Sequence, residues 1–131
     1  MLISVSNKTE YTPEWNDNLK TPDPIVVVHR VPTMGLRERL IPRPKLKLMV
    51  SADGKSEGGE TEVEIDNKKI IQSMLVEIKN LAYTSEDGKE IRVKSADDLF
   101  GNTTPSALSG LADELGTYFQ KILNERVDSK N

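Results

Sequence analysis

His29 is the one histidine in the chain, and it sits inside the apolar run "PIVVVHRVP", Pro24 to Pro32. An imidazole could ligate zinc or act as a general base. Either role needs partners, and the chain has no second histidine and no cysteine. His29 therefore reads as a structural or surface histidine. Gly54, Lys55 and Ser56 copy the end of a phosphate-binding loop, but that motif asks for glycine five residues before Gly54, where Met49 stands. Glu57, Gly58, Gly59 and Glu60 then continue a loop where the motif needs a helix, so nucleotide binding is excluded. The acids Asp53, Glu57, Glu60, Glu62, Glu64 and Asp66 lack the spacing of a calcium loop and read as a solvated acidic segment. Asp97 and Asp98 follow Ser95 closely enough to favour the positive end of a helix dipole over paired acid–base work. With no nucleophile–base pair, metal set or cofactor motif, the expectation is a non-enzyme without a cofactor.

Charge is segregated along the chain. From Arg30 to Lys47 six positive residues face Glu38 alone, whereas from Asp53 to Asp66 six acids face Lys55. Contact between the two segments, within one fold or between copies, is as natural an outcome as nucleic-acid binding. The formal net charge is −3 and the pI about 5.3, the opposite of the basic balance of a dedicated nucleic-acid binder. No aromatic residue lies between Trp15 and Tyr83, so the basic segment has no stacking platform for single strands. No apolar run approaches the roughly 18 residues that span a bilayer, and "MLISVSNKTE" lacks the basic start and long apolar stretch of a signal peptide.

Hydrophobic pattern and breaker residues set the secondary structure around these groups. The length of 131 residues suits one domain, with charged residues at 30% and aromatics at 5% leaving a modest core. Residues 1–23 read as a partly irregular arm. "LISVS" is a short strand candidate, and Pro13, Pro22 and Pro24 interrupt the chain after it. Trp15 reads as the anchor of this arm to a core or a partner. Residues 24–131 form the single domain. Its β-branched run predicts a strand at about 25–31, and alternation predicts further strands at about 45–50 and 61–65, with a mobile Gly-rich acidic loop at about 51–61. Thr33 is placed to cap a short turn between the first two.

Asp66 can cap a helix over about 67–80, since Ile70, Ile71, Met74, Leu75 and Ile78 fall on one face at helical spacing. Asp87-Gly88 predicts a two-residue hairpin turn within about 82–94. Ser95 caps a short helical turn, and Thr104 with Pro105 opens a last helix over about 105–126. That helix carries Leu108, Leu111, Ala112, Leu115, Phe119, Ile122 and Leu123 as a stripe, which serves the core and is long enough to serve a partner too. Gly110 and Gly116 weaken the helix or permit close packing. Strands followed by helix, hairpin and helix give an α+β fold.

The patterns "WNDN", "DPIVVVHRVPTMGLRERL", "IIQSMLVEIKNL", "DGKEIRVKSADDL" and "LNERVDSKN" together resemble the small tail assembly chaperones of long-tailed bacteriophages. The resemblance rests on Pro32, Thr33, Arg37, Glu38 and Arg39 after a strand, on Val76, Ile78, Asn80 and Leu81 near a helix end, and on the closing Lys130 and Asn131. It covers Trp15 to Asn131, and the acidic loop from Ser51 to Thr61 departs from it. It implies a non-enzymatic partner of the tape measure protein, and often of the tail tube subunit, acting in the cytoplasm of the bacterial host. The alternatives are a structural tail or virion subunit (tube, terminator or connector), which would place the chain in the virion, and a nucleic-acid-binding regulator working through Arg30 to Lys47. The candidate protein-binding residues are Trp15, Arg37, Arg39, Leu111, Leu115, Phe119 and Ile122. Self-association through the opposite charge segments is a further expectation.

Overall fold

Valine at 26, 27 and 28 favours extended chain because a branched Cβ packs well on a pleated surface. The computed structural model, which describes residues 1–3, 7–41 and 66–125, has this strand, β2 (Val26–Arg30), at the centre of a three-stranded antiparallel sheet, between β1 (Lys8–Tyr11) and β3 (Leu75–Lys79). Val27 and His29 point to the core and are buried, while Val26 and Val28 on the other face are half-buried. The expected strands at 45–50 and 61–65 and the loop at 51–61 lie outside the described residues.

The arm contributes more to the sheet than its polar sequence suggests. β1 (Lys8–Tyr11) pairs with β2 from Lys8 opposite Arg30 to Tyr11 opposite Val27. The expected strand "LISVS" lies partly outside the described residues, and the first described strand is the tetrapeptide "KTEY". Pairing to β2 and the inward Tyr11 select it, and strand propensity is mostly such context. A 3-10 segment, Trp15–Lys20, comes next, with Asn16 and Asp17 left-handed at φ 54° and 57°. Asn18 pins it: its Nδ2 donates to the carbonyls of Pro13 (2.8 Å) and Ile25 (3.0 Å), and its Oδ1 accepts from Ile25 N (2.6 Å).

The predicted helix over 67–80 is corrected to a helix followed by a strand. Asp66 does cap α2 (Asn67–Met74), accepting from Lys69 N at 3.1 Å, but the chain then extends as β3 (Leu75–Lys79). Val28 pairs with Glu77 and His29 with Leu75, so Val76 is an extra residue in the ladder. This bulge puts Leu75 and Ile78, three apart, on the same buried side. A bulged strand thereby reproduces the i, i+3 spacing of a helix, and this is why periodicity extended the helix too far.

The hairpin is present as β4 (Ala82–Thr84) and β5 (Glu90–Arg92). Its turn is one residue longer than predicted. Ser85 N donates to Lys89 O (2.8 Å) and Gly88 N to Ser85 O (2.9 Å), enclosing Glu86, Asp87 and Gly88. Gly88 takes the positive φ (79°) that closes such a loop. Val93 N donates to Leu81 O (3.0 Å) and extends the hairpin, and Ile78 N donates to Lys94 O (2.8 Å), which ties its far end to β3.

Ser95 caps α3 (Ala96–Leu99) through Asp98 N, as its position predicts. Thr104 does not cap the last helix: its hydroxyl turns back to Asp98 O (2.5 Å), and Pro105 opens a 3-10 turn, Ser106–Leu108, that leads into α4 (Ser109–Asn124). α4 lies along the sheet beside α2, with Leu111, Leu115 and Phe119 fully buried against Ile70, Ile71 and Met74 in one core. The glycines of α4 do permit close approach. A Cβ at Gly110 would meet Trp15 Nε1 at 2.7 Å, and one at Gly116 would meet the Asn67 side chain at 3.0 Å. Helices on one face of an antiparallel sheet make the chain an α+β protein.

Candidate functional site

The basic segment keeps its resemblance-bearing residues on a defined helix. Thr33 accepts from Leu36 N (3.1 Å) and starts α1 (Met34–Leu40). Leu40 is buried and Leu36 half-buried, so one flank of α1 is held by the core. At about 100° per residue, Arg37 and Arg39 lie 200° apart, on opposite sides of that buried flank. Glu38 and Met34 occupy the outer face between them, and Met34 is 83% exposed. Arg37 is half-buried and Arg39 exposed, and neither forms an ion pair with a described residue. The arginines thus do not make one basic patch. They bracket a short surface with an exposed methionine at its middle.

The apolar stripe of α4 requires a correction. Leu111, Leu115 and Phe119 have no exposed surface, so in this conformation none of them can contact a partner. The stripe is consumed by α2 and the sheet, because a 16-residue helix is the main apolar body available to cover both. Ile122 and Trp15 are half-buried and pack at the margin of the core. Trp15 is thus an anchor of the arm, seated on Gly110.

A polar and aromatic seam joins β1, β2 and α4, and no motif in the sequence announces it. The Tyr11 ring stacks on Tyr118 with centroids 3.8 Å apart and planes 8° from parallel. Tyr11 donates its hydroxyl to Glu114 Oε2 (2.7 Å), which also accepts from Glu14 N (2.9 Å). Burial, and after it the Glu114 carboxylate, pushes the Tyr11 phenol well above its ordinary range. Burial also raises the Tyr118 phenol, with Glu125 adding to the effect.

His29 completes the seam. Its Nδ1 lies 2.9 Å from Arg30 O, which can only accept, so Nδ1 carries the proton and donates. Nε2 then accepts from the Tyr118 hydroxyl, also at 2.9 Å. The ring meets Tyr118 and Phe119 edge-on, at 5.2 and 5.3 Å. Burial depresses the imidazole pKa below 6.5, and the bond to Arg30 O opposes this only in part. Both ring nitrogens are satisfied by protein, so His29 is a structural histidine.

No family model, curated protein or solved structure matches this chain. Among the described residues no group of three or more His, Asp or Glu side chains is arranged to hold a metal ion, and no helix is long and apolar enough to cross a membrane. Sequence reasoning passed over Asn18, Tyr11, Glu114 and Tyr118. The "WNDN" cluster hinted only at the bend before Asn18, because Asn16 and Asp17 tolerate left-handed backbone where other residues resist it. It also passed over Met34 and Leu19, the latter 58% exposed.

Proposed function

We propose that this chain is a non-enzymatic tail-morphogenesis protein of a long-tailed bacteriophage, an assembly chaperone that holds the tape measure protein, the tail tube subunit or both in the host cytoplasm before the tail forms. The observation that carries this reading is α1. One set of the residues that bear the resemblance (Pro32, Thr33, Arg37, Glu38 and Arg39) leads into and lies on a capped helix that is anchored on one flank and open on the other. An exposed methionine flanked by guanidinium groups suits a protein client. Met adapts to irregular apolar surface, and Arg finds carboxylates with defined geometry. Charge there sets specificity and on-rate more than affinity.

Co-expression with a tape measure protein and with a tail tube subunit tests the reading. Capture of either in a stoichiometric complex is expected, and that capture should be lost when Met34 and its flanking arginines are replaced. Capture of neither would overturn the proposal. Closed rings of this chain alone, seen by light scattering, would replace it with the structural-subunit reading.

A further inference from the structure

We infer that His29 is an acid-sensitive latch between β2 and the second half of α4, so that gaining one proton loosens the helix from the sheet and uncovers part of its apolar stripe. The inference concerns the protein alone and does not depend on which client it holds.

The geometry is specific. His29 is 1% exposed and lies where β2 meets Tyr118 and Phe119 of α4. Its neutral form satisfies both neighbours at once, donating from Nδ1 to Arg30 O and accepting at Nε2 from Tyr118. An imidazolium carries protons on both nitrogens. Tyr118 can then no longer donate to Nε2, and its hydroxyl must turn to accept. A full charge also sits between helix and sheet.

Among the described residues no opposite charge meets it there. On β1, Thr9 is paired with His29, and Tyr11 beyond it holds a phenol kept protonated. On β3, Leu75 is the paired residue. Arg30 presents its carbonyl, with its own side chain exposed. On α4, Glu114 is engaged by Tyr11 and Glu14, and Glu125 bears on the Tyr118 phenol. α1, packed on α4, brings Arg37, Glu38 and Arg39, none of them buried. The charge is therefore desolvated without a partner among the described residues. A pKa depressed in the folded state means that the latch is fully engaged above the unfolded value of 6.5 and is lost as pH falls through the lower folded value.

Behind the latch lie Phe119 and Leu115, the stripe residues that the closed structure withholds. Tyr118 also carries the stack on Tyr11, so opening at this point frees the end of β1 as well.

Amide hydrogen exchange at pH 7.5 and 5.5, corrected for intrinsic rates, tests the latch. Protection of residues 115–124 should fall several-fold more than that of α3 and the hairpin in the wild type, and this excess should vanish in His29→Gln. Because the chain has one histidine, its ring proton resonance gives the midpoint directly in the unmodified protein, should the variant fail to fold. A midpoint at or above 6.5 would overturn the latch. So would an equal loss of protection along the whole chain, or an excess at 115–124 that persists in His29→Gln.

Discussion

Tyr11 and Tyr118, 107 positions apart in the chain, lie face to face at 3.8 Å with 8° between their planes, and through this stack the N-terminal strand is fastened to the C-terminal helix. The hydroxyl of Tyr11 adds a separate bond to Glu114. Tyr11→Phe keeps the stack and loses the bond, so it should cost about 1 kcal/mol. Tyr11→Leu loses both and should cost about 0.5–1.5 kcal/mol more. Urea denaturation of the three proteins side by side measures the difference, and equal midpoints for Phe and Leu would show that the stack contributes nothing.

Asn18 is the tie that holds the "WNDN" segment against β2. Asn18→Ala leaves the Pro13 and Ile25 carbonyls and the Ile25 amide without their side-chain partner. Each buried group left unsatisfied costs about 1–3 kcal/mol, so this change should rank among the most destabilising on the surface-proximal half of the molecule. Thermal unfolding should show a marked drop in Tm. A Tm within a degree of wild type would mean that water replaces the side chain without penalty.

Gly110 and Gly116 should respond differently to alanine. Each gains about 1 kcal/mol of helix propensity. At Gly110 the new methyl would meet the rigid Trp15 indole at 2.7 Å, so the ring must shift. Trp15 is the one tryptophan, and its fluorescence should move to longer wavelength with loss of stability. At Gly116 the neighbour is the Asn67 side chain at 3.0–3.3 Å, which also accepts from Gln120 Nε2. That side chain can give way, so Gly116→Ala should be much closer to neutral.

The arginines of α1 should act singly rather than as a pair. They lie on opposite sides of the helix and touch no described carboxylate. Arg37→Glu and Arg39→Glu should each leave the unfolding midpoint unchanged, as surface substitutions do. One of them should weaken client capture several-fold more than the other, because a single interface meets one flank first. Equal losses from both would point to a client that wraps α1.

The elements whose signals are local were legible. Thr33, Asp66 and Ser95 cap the helices they precede, since a cap needs only a side-chain oxygen two or three residues from its amide. The valine run is a strand because three branched residues restrict the chain on their own. Thr104 misled because its hydroxyl had a second acceptor, Asp98 O, brought near by a turn that spacing does not reveal. Leu75 and Ile78 misled because a bulge and a helix share the same apolar interval. Only the pairing of β3 with β2 separates the two readings.

The candidate site divides along the same line. The lack of cysteine and of a second histidine, the segregation of charge and the local start of α1 were all readable from the residues, because they depend on composition and on contacts a few positions apart. That Leu111, Leu115 and Phe119 belong to the core, that Arg37 and Arg39 diverge and that His29 meets Tyr118 emerged only once the chain was folded. Those outcomes depend on which face of α4 the sheet covers and on residues about a hundred positions apart arriving at one seam. No short-range pattern encodes that meeting. It comes from burying the largest apolar area that one long helix and a three-stranded sheet can share.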